Sequence, residues 1–368
     1  MKNLFKLAFA FAAIFAVSCS EKPADEGNNA KGDLVITFDK DVITSDGKDV
    51  STIVVKYNGE VVTAGVEFFD ADNAPFVIED FKFSTTEAGD YEFWASYKTS
   101  MSEPVVIKAI PMSIPEAVAD AQPENCSFAR KVFLTQFTGT GCGYCPGMIK
   151  ILRDLMNDPG IRGKVVLAAV HSYNSNDPAY ISAPNSSALG GSGYPFLSID
   201  LSVGYKDYTQ KSPALVSEIK GRVAEPAKAG IAVNPSYVDG YLVTKVSVKA
   251  AEAGEFLVGA WLVEDGIYGQ QADYLNIKDK TYDTHDHCVR VVDSREASFA
   301  GYSIGNLDAG QVVDKTFIMK VKKDWKMENL HLVVFTSNPY KQGKNTFYEV
   351  NNVVDCPIDS ATPFEYVK

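Results

Sequence analysis

The sequence predicts a multidomain chain built as a β-sandwich, then an α/β unit, then a second β-sandwich, and three observations predict it. From Asp33 to about Ile110, short strands such as Leu34-Val35-Ile36-Thr37-Phe38 alternate apolar and polar residues between glycine and polar turns. From Lys131 the strands become near-continuous apolar runs, Val132-Phe133-Leu134-Thr135-Gln136-Phe137 and Val165-Val166-Leu167-Ala168-Ala169-Val170, separated by helical stretches. That pattern belongs to an α/β sheet covered on both faces. From Gly230 the strand pattern returns over residues 241–248, 256–263, 315–321 and 330–336.

The N-terminus is read first as a targeting segment. Lys2 and Lys6 precede an apolar run over residues 7–17 that ends Ala16-Val17-Ser18-Cys19. The run is too short for a membrane-spanning helix, which needs about 20 residues, and has the length of a signal-peptide core. Small residues followed by cysteine resemble a bacterial lipobox, although Ala16 stands where such boxes usually carry leucine. Residues 1–19 are therefore expected to be a lipoprotein signal peptide ending at the lipidation residue Cys19. Residues 20–32 are polar, with no apolar periodicity, and read as a flexible tether.

Composition narrows the function. The chain has 368 residues, 46% of them hydrophobic, enough for two or three cores. Its formal net charge is −12, and loss of a signal bearing Lys2 and Lys6 makes it more acidic. Such a surface repels nucleic acid and anionic headgroups, so no nucleic-acid partner is expected. An exported chain meets an oxidising compartment, where disulfides are permitted, and the sequence has six cysteines.

Within residues 33–110, Glu87-Ala88-Gly89-Asp90-Tyr91-Glu92-Phe93 resembles the tyrosine corner of immunoglobulin-like domains, with Phe93 where antibodies place a cysteine. This unit has no cysteine and reads as a spacer standing on packing alone. Residues 111–126, with Pro111, Pro115 and Pro123, form a linker.

Residues 127–227 carry the motif with chemistry. Cys142-Gly143-Tyr144-Cys145-Pro146 lies between a buried strand and a helix expected over residues 143–157. A cysteine there faces unpaired helix amides and the positive end of the helix dipole, which favour thiolate over thiol. Cys145, farther in, is placed to resolve a mixed disulfide. Downstream, Gly193-Tyr194-Pro195 precedes the apolar strand Phe196-Leu197-Ser198-Ile199. Together these features resemble a thioredoxin-like domain, whose cis-proline faces the C-x-x-C motif. Gln136, six residues before Cys142, stands where thioredoxins carry a buried acid, and a glutamine cannot titrate. Residues 228–368 then form the C-terminal sandwich.

On Phe137-Thr138-Gly139 before the motif, His171, Tyr194-Pro195, Val263-Glu264-Asp265-Gly266-Ile267 with Gln270, and His285-Asp286-His287-Cys288-Val289-Arg290, the chain resembles the outer membrane protein 28 family of Bacteroidetes lipoproteins. The resemblance covers roughly residues 130–356 and implies a thioredoxin-like domain, a β-sandwich and outer-membrane attachment, on the periplasmic or the cell-surface face. His285, His287 and Cys288, with Asp283 or Asp286, have the residue types of a zinc site. In a strand, however, His285 and His287 point away from Cys288, so no metal is assigned. A hydrogen-bonded structural role is expected for His287 and Arg290, and His171 reads equally as structural or as a ligand. Cys126, Cys288 and Cys356 allow at most one further disulfide.

The expected function is a membrane-anchored thiol-disulfide oxidoreductase acting on protein thiols and disulfides. Cys142 is the nucleophile, Cys145 the resolving thiol, and Tyr194 with Pro195 the substrate platform, without a cofactor. The alternative is a surface binding or adhesion lipoprotein whose Cys142–Cys145 pair is only a structural staple. If Cys19 is acylated, Cys19→Ala releases the protein to the soluble fraction or leaves the precursor unprocessed. An unmodified N-terminus at Ser20 or later in the mass spectrum contradicts the assignment.

Overall fold

A computed structural model describes residues 33–294 and 299–367. Cys19 and the tether, on which the anchoring expectation rests, lie outside the described residues. Among those described, the chain is mostly β-sheet with two α-helices.

The first unit contains β1 (Leu34–Phe38), β2 (Val42–Thr44), β3 (Ser51–Tyr57), β4 (Glu60–Val62), β5 (Glu67–Asp70), β6 (Lys82–Phe83), β7 (Gly89–Tyr97), β8 (Ser100–Met101) and β9 (Val105–Ile110). One sheet runs β1-β3-β4 with β6 on β3, and the other β2-β9-β7-β5 with β8 on β7. Alternation sets the faces: Ser51, Ile53 and Val55 of β3 are buried while Thr52 and Lys56 are exposed. The Tyr91 hydroxyl donates to the Glu87 carbonyl at 2.9 Å. Phe93, fully buried, stacks on Phe76 with ring centroids 5.2 Å apart.

The next segment contains β10 (Val132–Thr138), α1 (Cys145–Met156), β11 (Val165–His171), β12 (Phe196–Ile199), β13 (Val203–Tyr205) and α2 (Pro213–Ala224). Strand β10 is central, with β11 parallel on one side and β12 then β13 antiparallel on the other. Every residue of β10 is buried, and its alternate side chains enter two cores. Val132 and Leu134 pack with Met148, Ile151, Leu152 and Leu155 of α1 and with Leu215 and Ile219 of α2. Helix α2 starts cleanly because the Ser212 hydroxyl accepts from the Leu215 amide at 3.1 Å and Pro213 needs no amide partner in the first turn. Ala183–Pro184 and Tyr194–Pro195 are cis.

The rest contains β14 (Ala229–Val238), β15 (Tyr241–Ala250), β16 (Gly254–Glu264), β17 (Ile267–Tyr268), β18 (Thr284–His285), β19 (Cys288–Asp293), β20 (Tyr302–Leu307), β21 (Val312–Lys320), β22 (Leu330–Gln342) and β23 (Asn345–Pro357). Strands β14-β15-β21 form one layer. The other layer is continuous with the preceding segment, in the order β13-β12-β10-β11-β19-β16-β22-β23 with β20 on β16. The junction is narrow: Ala169 of β11 pairs with Cys288 of β19, and the Ala169 amide donates to the His287 carbonyl at 2.7 Å. Residues 127–227 and 228–368, separated on the sequence pattern at 227/228, thus share one sheet. The physical reason is the second face of β10. Phe133 and Phe137 point away from the helices and are covered by Trp261, Phe335, Val350 and Val353. Phe133 meets Trp261 edge-on at 5.3 Å and stacks on Phe335 at 5.2 Å.

Where β12 ends, Asp200 is fully buried. It accepts from the Phe133 amide at 2.8 Å, Arg130 at 2.9 Å and Arg222 at 3.0 Å, tying β10, β12 and α2 together. Burial pushes its carboxyl up, against the pull of the two guanidiniums. Asp200→Ala leaves Arg130 and Arg222 short of a buried counter-charge and is expected to cost about 3–5 kcal/mol. Thermal denaturation followed by circular dichroism measures it, and an unchanged melting temperature refutes it.

Candidate functional site

Cys142 and Cys145 form a disulfide, with Cα atoms 5.4 Å apart, where β10 passes into α1. Cys145 is the first residue of α1, Pro146 sits in its first turn, and Tyr144 precedes it without a side-chain cap. No acidic residue lies in that turn. Nothing in the first turn therefore neutralises the positive helix end facing the sulfurs. Phe137, next to the end of β10, pairs with Phe196 of β12, so Pro195 stands beside the point where the chain leaves β10 for the cysteines. Tyr194 is half-buried, its hydroxyl hydrogen-bonded to Ser172 Oγ at 2.9 Å and its ring edge-on to Tyr173.

The sulfurs are covered. Cys142 is 3% exposed and Cys145 fully buried. The cover is a strap, residues 269–275, which runs across the C-x-x-C turn and pairs with it through main chain. The Ala272 amide donates to the Thr140 carbonyl at 2.7 Å and the Tyr274 amide to the Gly143 carbonyl at 2.8 Å. Gln271, buried, directs its amide nitrogen at the carbonyls of Cys142 (2.9 Å), Thr140 (3.2 Å) and Gly139 (3.3 Å). The Tyr274 ring lies directly over Gly143, where even a Cβ would come within 2.3 Å. Glycine is thus required there by close approach rather than by φ. The strap is fixed from behind, because Asp283 Oδ1 accepts from the Gln271 backbone N–H at 2.9 Å and Arg153 of α1 stacks on Tyr282.

Behind the motif, Gln136 and Thr138 line a cavity of about 110 Å³ with Leu152 of α1, His171, His285 and His287. Gln136 Nε2 and Thr138 Oγ1 have no hydrogen-bond partner there. Gln136 is 4% exposed, so the position six residues before Cys142 is an interior one, as its place in the motif requires. His171 is structural. Its Nδ1 shares a hydrogen bond with Asp177 Oδ2 at 2.9 Å and its Nε2 lies 3.5 Å from Cys288 Sγ. Asp177 also accepts from the Thr140 amide at 2.6 Å and so holds the turn before Cys142. Burial opposes its charge, but His171 and the backbone amides of Thr140 and Ala179 bring its carboxyl down to about 2.

His285, His287 and Cys288 do not converge. The backbone does bend between β18 and β19, with His287 at φ +59°. His285 Nε2 nevertheless turns to the Gly269 carbonyl and Cys288 to His171. Arg290 binds Glu264 at 2.7 Å and the Pro178 carbonyl at 2.9 Å. Cys126, Cys288 and Cys356 are all free, so no further disulfide forms among the described residues. Burial pushes the Cys288 thiol well up and the Cys356 thiol to about 12. Gln271 and Asp177 were not legible beforehand, and Asp283, singled out only as a zinc-type ligand, instead holds the strap through the Gln271 backbone amide. Their local sequence is that of a polar loop, and neighbouring Gln270, which carries part of the family resemblance, is exposed.

Gln271→Ala removes the amide donor shared by three motif carbonyls. A hydrogen bond of about 1 kcal/mol net corresponds to roughly fivefold easier opening. Reduction of the Cys142–Cys145 disulfide by dithiothreitol is then expected to speed up by about that factor. An unchanged rate shows that the strap does not limit access.

Residues 185–360 match the profile of the family described as outer membrane protein Omp28. The match takes in Tyr194, Pro195 and the strap, and begins after Cys142 and Cys145, so it starts later than the resemblance over residues 130–356. No curated protein matches the chain. A solved structure, HBP35 of Porphyromonas gingivalis, is similar in fold with a TM-score of 0.50 and 19% identity, over 64% of this chain and 78% of that one. Among the described residues no helix is long and apolar enough to cross a membrane. Residues 185–360, just under half of the chain, are thus similar to the outer membrane protein Omp28 family, and that likeness supports a place at the outer membrane.

Proposed function

We propose that the protein is a lipid-anchored envelope thiol-disulfide exchange protein with Cys142 as nucleophile and Cys145 as resolving thiol. The observation that carries this reading is the Cys142–Cys145 disulfide at an uncapped helix start with no acidic residue in the first turn. A thiolate at Cys142 gains from the helix amides and dipole, which lowers the barrier to exchange. The strand order β11-β10-β12-β13 with α1 and α2 packed on one face supports a thioredoxin-like unit. The Tyr91 bond to Glu87 and the buried Phe93 support an immunoglobulin-like spacer before it.

In the exchange, a dithiol donor first reduces the Cys142–Cys145 disulfide and leaves as its own disulfide; the Cys142 thiolate then attacks a client disulfide and forms a mixed disulfide, releasing one client thiolate. Cys145, once deprotonated, attacks Cys142 Sγ, releases the second client thiolate and regenerates the Cys142–Cys145 disulfide. Gln136 cannot take the Cys145 proton, so this second step is slow, and Gln136→Glu accelerates it. The strap over Cys142 favours a second reading, in which the disulfide staples the turn and the β-sheet surfaces bind a partner.

Cys145→Ala separates the two. In a live site it traps a mixed disulfide between Cys142 and a client protein in envelope extract, and alkylation of the reduced wild type at mildly acidic pH favours Cys142 over Cys145. If Cys142 alkylates no faster than an ordinary cysteine and captures no client, the pair is a staple.

A further inference from the structure

The four histidines fall into two pairs. His171 and His285 are buried, with both ring nitrogens of His171 and Nε2 of His285 engaged, whereas His287 and His331 face each other at 5.7 Å at an open rim of the sheet. Asp265 stands between them. His331 Nε2 lies 3.3 Å and His287 Nδ1 3.4 Å from Asp265 Oδ1. One ligand atom from each of the three residues lies within 4.8 Å of the others. A tetrahedral ion with bonds of about 2.0 Å has ligand–ligand edges of about 3.3 Å. The two separations to Asp265 already have that length.

From these groups we infer a site for a divalent transition-metal ion of the zinc class, ligated by Asp265, His287 and His331.

The sheet builds the site. Asp265 directly follows β16, His287 directly precedes β19, and His331 is the second residue of β22. Strand β16 pairs with both of the others at this end, Val263 opposite Val289 and His331. The loops are then locked. The His287 amide donates to Asp265 Oδ1 at 2.6 Å, and Asn329 exchanges two hydrogen bonds with the Asp265 backbone. Gly266 donates to Asp286 Oδ1 at 2.9 Å. His287 holds a left-handed backbone, φ +59°, that non-glycine residues seldom adopt, and this conformation brings its ring to Asp265.

Two features favour an ion over a plain charge cluster. His287 Nδ1 is shielded from solvent yet makes no hydrogen bond, despite its 3.4 Å approach to Asp265. Asp355 binds His331 Nδ1, which directs Nε2 toward Asp265. A carboxylate behind a metal-binding imidazole does this in known metal sites, fixing tautomer and ring orientation. Three protein ligands leave a fourth position, which opens onto a cavity of about 330 Å³ lined also by Glu328, Asn329 and Pro357. An open position suits an ion that binds a further ligand rather than one that only braces the fold.

The test uses the full chain with Cys142–Cys145 kept oxidised, so that those thiols do not bind the probe. Cobalt(II) is titrated in and read by its visible d–d absorption, then competed with zinc(II). One ion per chain is expected, with a spectrum lacking thiolate charge transfer. His287→Gln and His331→Gln are expected to abolish it, while His285→Gln leaves it intact. Asp355→Asn, which keeps the ring in place but weakens its orientation, is expected to lower affinity about 10- to 100-fold. Circular dichroism of each variant shows that the fold persists. If the oxidised wild type takes up neither ion, or if His287→Gln and His331→Gln bind as the wild type does, the inference is overturned. Asp265, His331 and Asp355 are then an ion-paired cluster alone.

Discussion

Strand β10 has no solvent face: Val132 and Leu134 enter the core beneath α1 and α2, while Phe133 and Phe137 enter the core formed with Trp261, Phe335 and Val353. A strand buried on both faces needs two separate covers, and here the covers differ in kind. Helices close one side, and the far half of the chain closes the other. Asp200 then pins β10 through the Phe133 amide while neutralising Arg130 and Arg222. Removing either cover would expose apolar side chains of β10 that contribute about 1.5–3 kcal/mol each when buried. The helical layer that carries the C-x-x-C motif is therefore not energetically independent of the C-terminal strands.

That dependence shapes the chemistry of the motif. The strap over Cys142 leaves from β17 and returns at β18, close to where β19 joins the shared sheet. Its hydrogen bonds to Thr140 and Gly143 use main-chain groups that an extended client segment would otherwise reach. The exchange proposed for Cys142 would consequently require local opening of residues 269–275. Such openings are less costly than global unfolding, because they break a few hydrogen bonds and expose little apolar surface. The anchors behind the strap, Asp283 and the Arg153–Tyr282 stack, set how far that opening spreads.

The rim near His331 follows from the same sheet. Strands β16, β19 and β22 end together, so three loops distant in sequence meet at one edge. The polar residues there are held by backbone hydrogen bonds rather than by long flexible side chains. Little conformational entropy remains to be lost when they engage a ligand. The C-x-x-C turn and this rim are attached to opposite neighbours of the β11–β19 junction, a pairing of Ala169 with Cys288.

The sequence by itself determined what depends on neighbours along the chain. Alternation in β3, the apolar run of β10, a helix beginning within the C-x-x-C motif and the disulfide-competent spacing of Cys142 and Cys145 are all local, because strand faces, helix starts and short loops are set within a few residues. Interior placement of Gln136 was legible for the same reason. Tertiary structure alone decided the rest. That β11 pairs with β19, that Gln271 reaches Cys142 across 129 residues, and that His331 meets Asp265 across 66 are results of sheet order. Sheet order is chosen by which distant apolar face can cover Phe133 and Phe137, and no periodicity within a segment encodes its partner.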